Sequence, residues 1–224
     1  MADVTVSAQA VTVGGGVAVP PAAGTPVAGA PAASPGTGIE RPEFQIVPRA
    51  GLPIVGVVLA LLIAGIAVNE LWPLEILHVV GGAAWTIIDL FLGFVLGPII
   101  GRMSIPARIE FTTRLMPKMV LIMPTVVTVT LAAGWQLANK LGTVQTSYYL
   151  HGWVVASYIV VGVMAVIALG LLEPANIAVL TELKKPQPNP QTIERLMKRF
   201  IYCAGLTGAM QVATLVIMTK LASG

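Results

Sequence analysis

Beyond residue 50, apolar and polar positions alternate on a long scale. Five apolar runs follow one another, at about Gly51 to Val68, Leu74 to Ile100, Met116 to Ala138, Leu150 to Leu172 and Phe200 to Thr219. A hydrocarbon core of ~30 Å needs about 20 apolar residues at 1.5 Å per residue, so each run predicts one membrane-spanning helix. The second run is interrupted only by Glu75, His78 and Asp89. Its extra length predicts tilt or extension beyond the core. The fold class expected is therefore all-α, an integral membrane helical bundle of five transmembrane helices.

The breaks between runs give the expected orientation. With the amino terminus inside, the cytoplasmic segments hold Arg41, Arg49, Arg102, Arg108, Arg114, Lys118, Lys184, Lys185, Arg195, Lys198 and Arg199, while the outer segments hold only Lys140 and Lys220. Basic residues favour the cytoplasmic side, which places the amino terminus in the cytoplasm and the carboxyl terminus outside. Trp72, Trp135, Tyr148, Tyr149 and Trp153 then gather at the outer interface, where aromatic belts lie. The loop Ser104–Arg108 reads as a turn leading into a short amphipathic segment through Arg114. Lys184–Pro190 reads as a Pro-rich break, and Thr192–Arg199 as a basic helical lead-in to the last span. These basic segments are expected to meet anionic lipid headgroups.

Residues 1–48 differ from the rest. The first forty carry only Asp3 and Glu40 as charges and are built from Ala, Val, Gly, Pro, Ser and Thr, without helical periodicity. They predict a disordered cytoplasmic tail ahead of a transmembrane domain at 49–224. With no basic n-region and no compact apolar h-region, the first span is expected to act as an uncleaved targeting signal. The localisation expected is a bacterial inner membrane, multi-pass.

Composition narrows the function classes. Only 10% of residues are charged, 56% are hydrophobic and the mean hydropathy is +0.85; a soluble domain carries roughly 25% charged residues. A net charge of +3 does not indicate nucleic acid, because the basic residues sit in short loops between spans. The partners expected are the lipid bilayer and other spans, in a homo-oligomer or a membrane complex. The single cysteine, Cys203, makes no intrachain disulfide and reads as a small helix-packing residue. No phosphate loop, dinucleotide fingerprint, nucleophile elbow or zinc-protease motif appears.

Candidate chemistry rests on the only two histidines. His78 lies in the first turns of helix two and His151 starts helix four. Both helices run from outside to inside, so both imidazoles sit near the outer face. Two imidazoles there would serve one metal ion, or both axial positions of one haem b. At 100° per residue His78 shares a face with Gly81, Gly82, Trp85 and Asp89; the glycines leave space for a helix or a flat cofactor. His151 shares its face with Val155, Tyr158, Gly162 and Ala165, and roughly with Glu173, which reads as the inner end of helix four. Interfacial histidines and small-residue faces also occur where helices merely pack.

Asp89, near the middle of helix two, is expected to face the bundle interior as a proton relay or a polar anchor between helices, since a charged carboxylate there costs ~2.5–3.5 kcal/mol on insertion scales. Glu70 and Glu75, around the Leu71-Trp72-Pro73 turn, are candidate partners for His78. Met116, Met119 and Met123 share one face of helix three. They begin at the inner end and read as packing residues rather than copper ligands. Pro124 is expected to kink that helix.

Leu77-His78-Val79-Val80-Gly81-Gly82-Ala83-Ala84-Trp85 resembles the helix opening of the copper-resistance D family of small bacterial membrane proteins, and of the haem-binding, protoporphyrinogen-oxidase-like membrane family. Arg114-Leu115-Met116-Pro117 and Thr130-Leu131-Ala132-Ala133-Gly134-Trp135 are similar to their following helix, so that the resemblance spans about residues 77–172. It implies a helical bundle with His78 as haem or metal ligand and, by position, His151 as the second, with Trp85 in the cofactor site. After Trp85 this chain has Thr86-Ile87-Ile88-Asp89 in place of a Gly- or Met-rich stretch. The functions in view are a redox protein using His78 and His151 with Asp89 aiding proton movement, a copper or small-solute permease, and a non-catalytic subunit or assembly factor.

Overall fold

The computed structural model describes residues 43–142 and 148–223. The expected tail falls mostly on residues outside that range. Among the described residues the chain is all helical, with five helices long and apolar enough to cross a membrane: α1 (Arg49–Val68), α2 (Leu71–Arg102), α3 (Ile105–Leu141), α4 (His151–Leu183, with its first turn reaching back to Tyr148) and α5 (Pro190–Ser223). This is a multi-pass membrane protein, and its apolar outer surfaces imply contact with lipid. Ile54, Ile63, Ile87, Phe94, Ile159, Val166 and Val216 are among the large side chains left exposed.

Local signals explain most boundaries. α1 has Pro53 in its first turn and stops at Asn69, whose left-handed φ of 53° lets its amide bond the Gly65 carbonyl at 3.0 Å. Asn69 Oδ1 also accepts from Gln136 Nε2 at 3.1 Å, which ties the α1–α2 turn to the end of α3. α3 stops at Gly142, φ 61°. α5 starts behind Asn189, whose Oδ1 accepts from the amides of Gln191 and Thr192 at 3.0 and 3.3 Å, an N-cap followed by Pro190 at the first helical position.

Several boundaries differ from the sequence expectation. The segment from Ser104 to Arg114 is not a separate element but the first turns of α3, which runs unbroken through Pro117 and Pro124. The basic lead-in at Thr192–Arg199 is likewise continuous with α5. Leu71-Trp72-Pro73 is the first turn of α2, and the chain reverses just before it, at Asn69 and Glu70. Glu173 does not end α4: the helix continues through Pro174 to Leu183.

Two prolines are absorbed in the same way. A proline ring clashes with the carbonyl four residues earlier and offers no amide proton. Pro98 and Pro174 would meet the carbonyls of Phe94 and Gly170, and both of those residues lie in wide π-turns, at Phe91–Leu96 and Ala168–Leu172. Widening the turn keeps each helix continuous.

Packing follows chain order with one closure. α2 lies against α3 and α5, α4 against α5, and the last third of α4, Glu173–Leu183, also against α3; α1 sits outside, on α3 and α2. The core between α2, α3, α4 and α5 holds Trp85, Leu92, Met116, Met123, Met164, Leu172, Val179, Met197 and Phe200. The Met residues of α3 are thus core packing, as expected. Several threonines within the spans return their hydroxyls to the helix four residues back, as Thr125 does to Leu121 and Thr214 to Met210, which satisfies them without water.

Candidate functional site

α2 presents one face to the bundle. Leu74, Gly81, Trp85, Asp89 and Leu92 are buried, and His78 is half-buried in the same stripe. The helical spacing that grouped His78, Gly81, Trp85 and Asp89 therefore describes an inward face.

His78 is held by α3. Its Nδ1 lies 2.9 Å from the carbonyl oxygen of Thr130. A carbonyl only accepts, so Nδ1 carries the proton, and in the neutral ring Nε2 keeps its lone pair. Thr130 can offer its carbonyl while its hydroxyl bonds Val126 at 2.8 Å. The ring rests against Gly134, where a Cβ would fall 2.5 Å from both Nδ1 and Cε1. The His78 partner is therefore a backbone carbonyl, not Glu70 or Glu75. The reason is proximity: α3 crosses at the histidine with two small residues, whereas Glu70 is exposed.

The space beside His78 is taken by a helix. A Cβ on Gly81 would meet Thr130 Oγ1 at 2.6 Å, so the glycine admits α3 rather than leaving a slot there for a flat group. Trp85 is 1% exposed and packed in the core, and its indole faces Asp89.

Asp89 is fully buried, at 0% exposure. Its carboxyl faces the side chains of Thr207 on α5 and Trp85 on its own helix, but neither oxygen reaches a donor at full hydrogen-bond geometry among the described residues. Thr207 spends its proton on the Cys203 and Ala204 carbonyls, at 3.0 and 3.1 Å. One turn toward Leu71, the Thr86 hydroxyl lies 3.1 Å from Gln211 Oε1 and 2.8 Å from the Gly82 carbonyl. Small residues bring α2 and α5 this close. A Cβ on Gly93 would sit 2.5 Å from the Gly205 Cα, and one on Gly208 would sit 3.3 Å from the Asp89 carbonyl carbon.

His151 is placed differently. It is exposed at the start of α4, and Val155, Tyr158 and Gly162, expected to continue its inward stripe, are exposed too. The buried face of α4 is one step round, at Val154, Ser157, Met164 and Ala168. Apolar residues cannot tell lipid from protein, because both are apolar solvents. Tyr158 does meet Trp135 of α3, ring centroids 5.8 Å apart. Trp135 follows the Gly134 that carries His78, and His151 lies two helical turns, about 10 Å, beyond Tyr158 toward the end of the bundle. The two histidines therefore share one end of the bundle. α3 and α5 are the helices that both α2 and α4 pack against.

A second buried carboxyl is Glu173, which the sequence marked as the inner end of helix four. Glu173 is 9% exposed and follows the π-turn of α4; Asn176, at 0%, faces it. Neither has a hydrogen-bond partner of full geometry among the described residues. The usable signal was an Asn and a Glu inside what proves to be one continuous helix. Among the described residues no group of three or more His, Cys, Asp or Glu side chains converges as a metal cage.

No family model, characterised protein or solved structure matches this chain.

Proposed function

We propose that this multi-pass membrane protein binds haem b, or failing that a metal ion, through His78 and works in electron transfer. One observation carries the reading, the His78 Nδ1 contact with the Thr130 carbonyl at 2.9 Å. Ligating histidines almost always donate their second ring proton in this way, which fixes the tautomer and orients the other nitrogen. The backbone carbonyl and the Gly134 shelf leave Nε2 as the coordinating atom. His151, exposed at the same end about 10 Å further out, would have to close over the group to supply the second ligand, and the bound group would carry the electron. Trp85 belongs to the Asp89 contact rather than to the cofactor.

The test is an absorption spectrum, oxidised and reduced, of protein purified in mild detergent from haem-replete cells. A Soret band lost in His78→Ala supports the reading, and retention of a shifted band in His151→Ala would assign His78 as the anchoring ligand. A well-folded protein with neither haem nor bound metal would end it.

A second reading, passage of protons or a small cation, is favoured by the full burial of Asp89 midway along α2. Intramembrane carboxyls of this kind mark ion pathways and relays. Flux into proteoliposomes that is abolished by Asp89→Asn, without loss of fold, would move the assignment there.

A further inference from the structure

α2 and α5 touch at Gly93 and Gly205 and leave a groove between them toward the basic end of the bundle. The cavity measures about 560 Å³, the size of a small-molecule site. Its walls are apolar, with Phe94, Pro98 and Ile100 from α2 and Ile201 and Leu206 from α5. Gly101 leaves it open, since a Cβ there would meet nothing within 4 Å.

The groove ends in charge. Arg108 and Lys198 line it together with Glu194. Glu194 is bonded to Lys198 at 2.8 Å, and both are well exposed. Arg108 is anchored, with Nη2 donating to the Gly101 and Met103 carbonyls at 3.2 and 3.4 Å, while its buried Nε has no acceptor among the described residues. The lining thus carries two cations and one anion. An apolar trough that closes toward the middle of the membrane and ends on an anchored guanidinium at the headgroup level has the polarity of one kind of occupant.

We infer that this groove binds an anionic phospholipid, with its phosphate on Arg108 and Lys198 and one acyl chain lying along Pro98, Gly101 and Ile201. Basic pockets between spans on the cytoplasmic side take anionic headgroups, and the net positive lining favours them over zwitterionic ones. The acyl chain fills the space that Gly101 leaves open, and so covers the α2–α5 seam between Gly93 and the charged end. This site is separate from His78 and does not depend on the redox reading.

The experiment is native mass spectrometry of the delipidated full chain, offered equimolar phosphatidylglycerol and phosphatidylcholine with matched acyl chains. One net positive charge near the surface is worth about 1 kcal/mol, so one retained phosphatidylglycerol is expected at about fivefold preference, tenfold being 1.4 kcal/mol. Arg108→Gln or Lys198→Gln brings the lining to net zero and should remove the preference, and the double variant, left with Glu194 alone, should disfavour phosphatidylglycerol. Gly101→Leu, which places its side chain in open space, should lose the retained lipid of either class while the helical content holds. Arg114→Gln, an exposed cation outside the groove, should change nothing. Equal retention of the two lipids, a preference that survives the double variant, or the same loss in Arg114→Gln would each overturn the assignment. If Arg108→Gln fails to fold, Lys198→Gln and Gly101→Leu decide the question alone.

Discussion

Gly134 lies so close to His78 that a Cβ built on it would meet the ring at 2.5 Å, at both Nδ1 and Cε1. The ring, the glycine and the Thr130 carbonyl form one unit joining α2 to α3. A hydrogen bond of this kind contributes about 0.5–1.5 kcal/mol, and an extra methyl in a packed contact costs about 1–3 kcal/mol. Gly134→Ala should therefore lower the midpoint of thermal unfolding in detergent, and it should also displace Nε2. If the protein carries haem, the same substitution should shift or weaken its Soret band without touching any ligand atom. An unchanged melting temperature and spectrum would mean that His78 is not confined by α3.

The glycines of the α2–α5 seam admit a sharper comparison. At Gly93 the added Cβ would approach the Gly205 Cα at 2.5 Å and its amide nitrogen at 2.7 Å; both are backbone atoms that cannot rotate away. At Gly162 and Gly170 it would meet nothing within 4 Å. Gly93→Ala should destabilise by about 1–3 kcal/mol, since the helices must separate. Gly162→Ala should be neutral or stabilising by up to about 1 kcal/mol, from helix propensity alone. Unfolding in a denaturing detergent titration separates the two, and equal effects would contradict the close approach of α2 and α5.

Asp89 faces Thr207 from across the same seam. Polar pairs between membrane helices couple by ~0.6 kcal/mol on average and by ~1.7 kcal/mol at most. A double-mutant cycle of Asp89→Ala and Thr207→Val should return a coupling within that range. The Thr86 and Gln211 pair, 3.1 Å apart, should give a similar value in its own cycle. Strict additivity at Asp89 and Thr207 would show that the carboxyl does not join the helices, and would strengthen its reading as an ion-handling group.

The five spans were legible because lipid demands a length and a composition, and the runs meet both. The inward face of α2 was legible because Gly81, Trp85 and Asp89 are types that lipid does not favour on its own side. The same reasoning failed on α4. Val155, Tyr158 and Gly162 share the His151 face and are exposed, while Val154, Ser157 and Met164 are buried; one step of rotation separates two stripes of nearly equal hydropathy. Glu173 was misplaced because a Glu-Pro pair reads as a helix end in water. Here the π-turn at Ala168–Leu172 absorbs the proline, and the helix continues where breaking its backbone hydrogen bonds would be costly. Thr130 could not be found from side-chain chemistry at all, since it serves His78 with its backbone carbonyl.

Orientation is the prediction on which the placement of both sites depends. The end of the bundle with Arg102, Arg108, Lys184, Lys185 and Arg195 should be cytoplasmic, because short loops rich in Lys and Arg are retained there. In a Cys203→Ala background, single cysteines replacing Lys140 and Lys184 report the two ends. A membrane-impermeant maleimide added to intact cells should label the first and not the second, and permeabilisation should expose the second. That outcome would place His78 and His151 in the outer half of the membrane and the Arg108 groove in the cytoplasmic leaflet. The reverse labelling would turn the molecule over. On the redox proposal the His78 site would then face cytoplasmic donors, and on the lipid proposal the anionic lipid would have to come from the outer leaflet. The distances within each site would be unchanged, so the lipid-retention and spectral experiments would keep their meaning in either orientation.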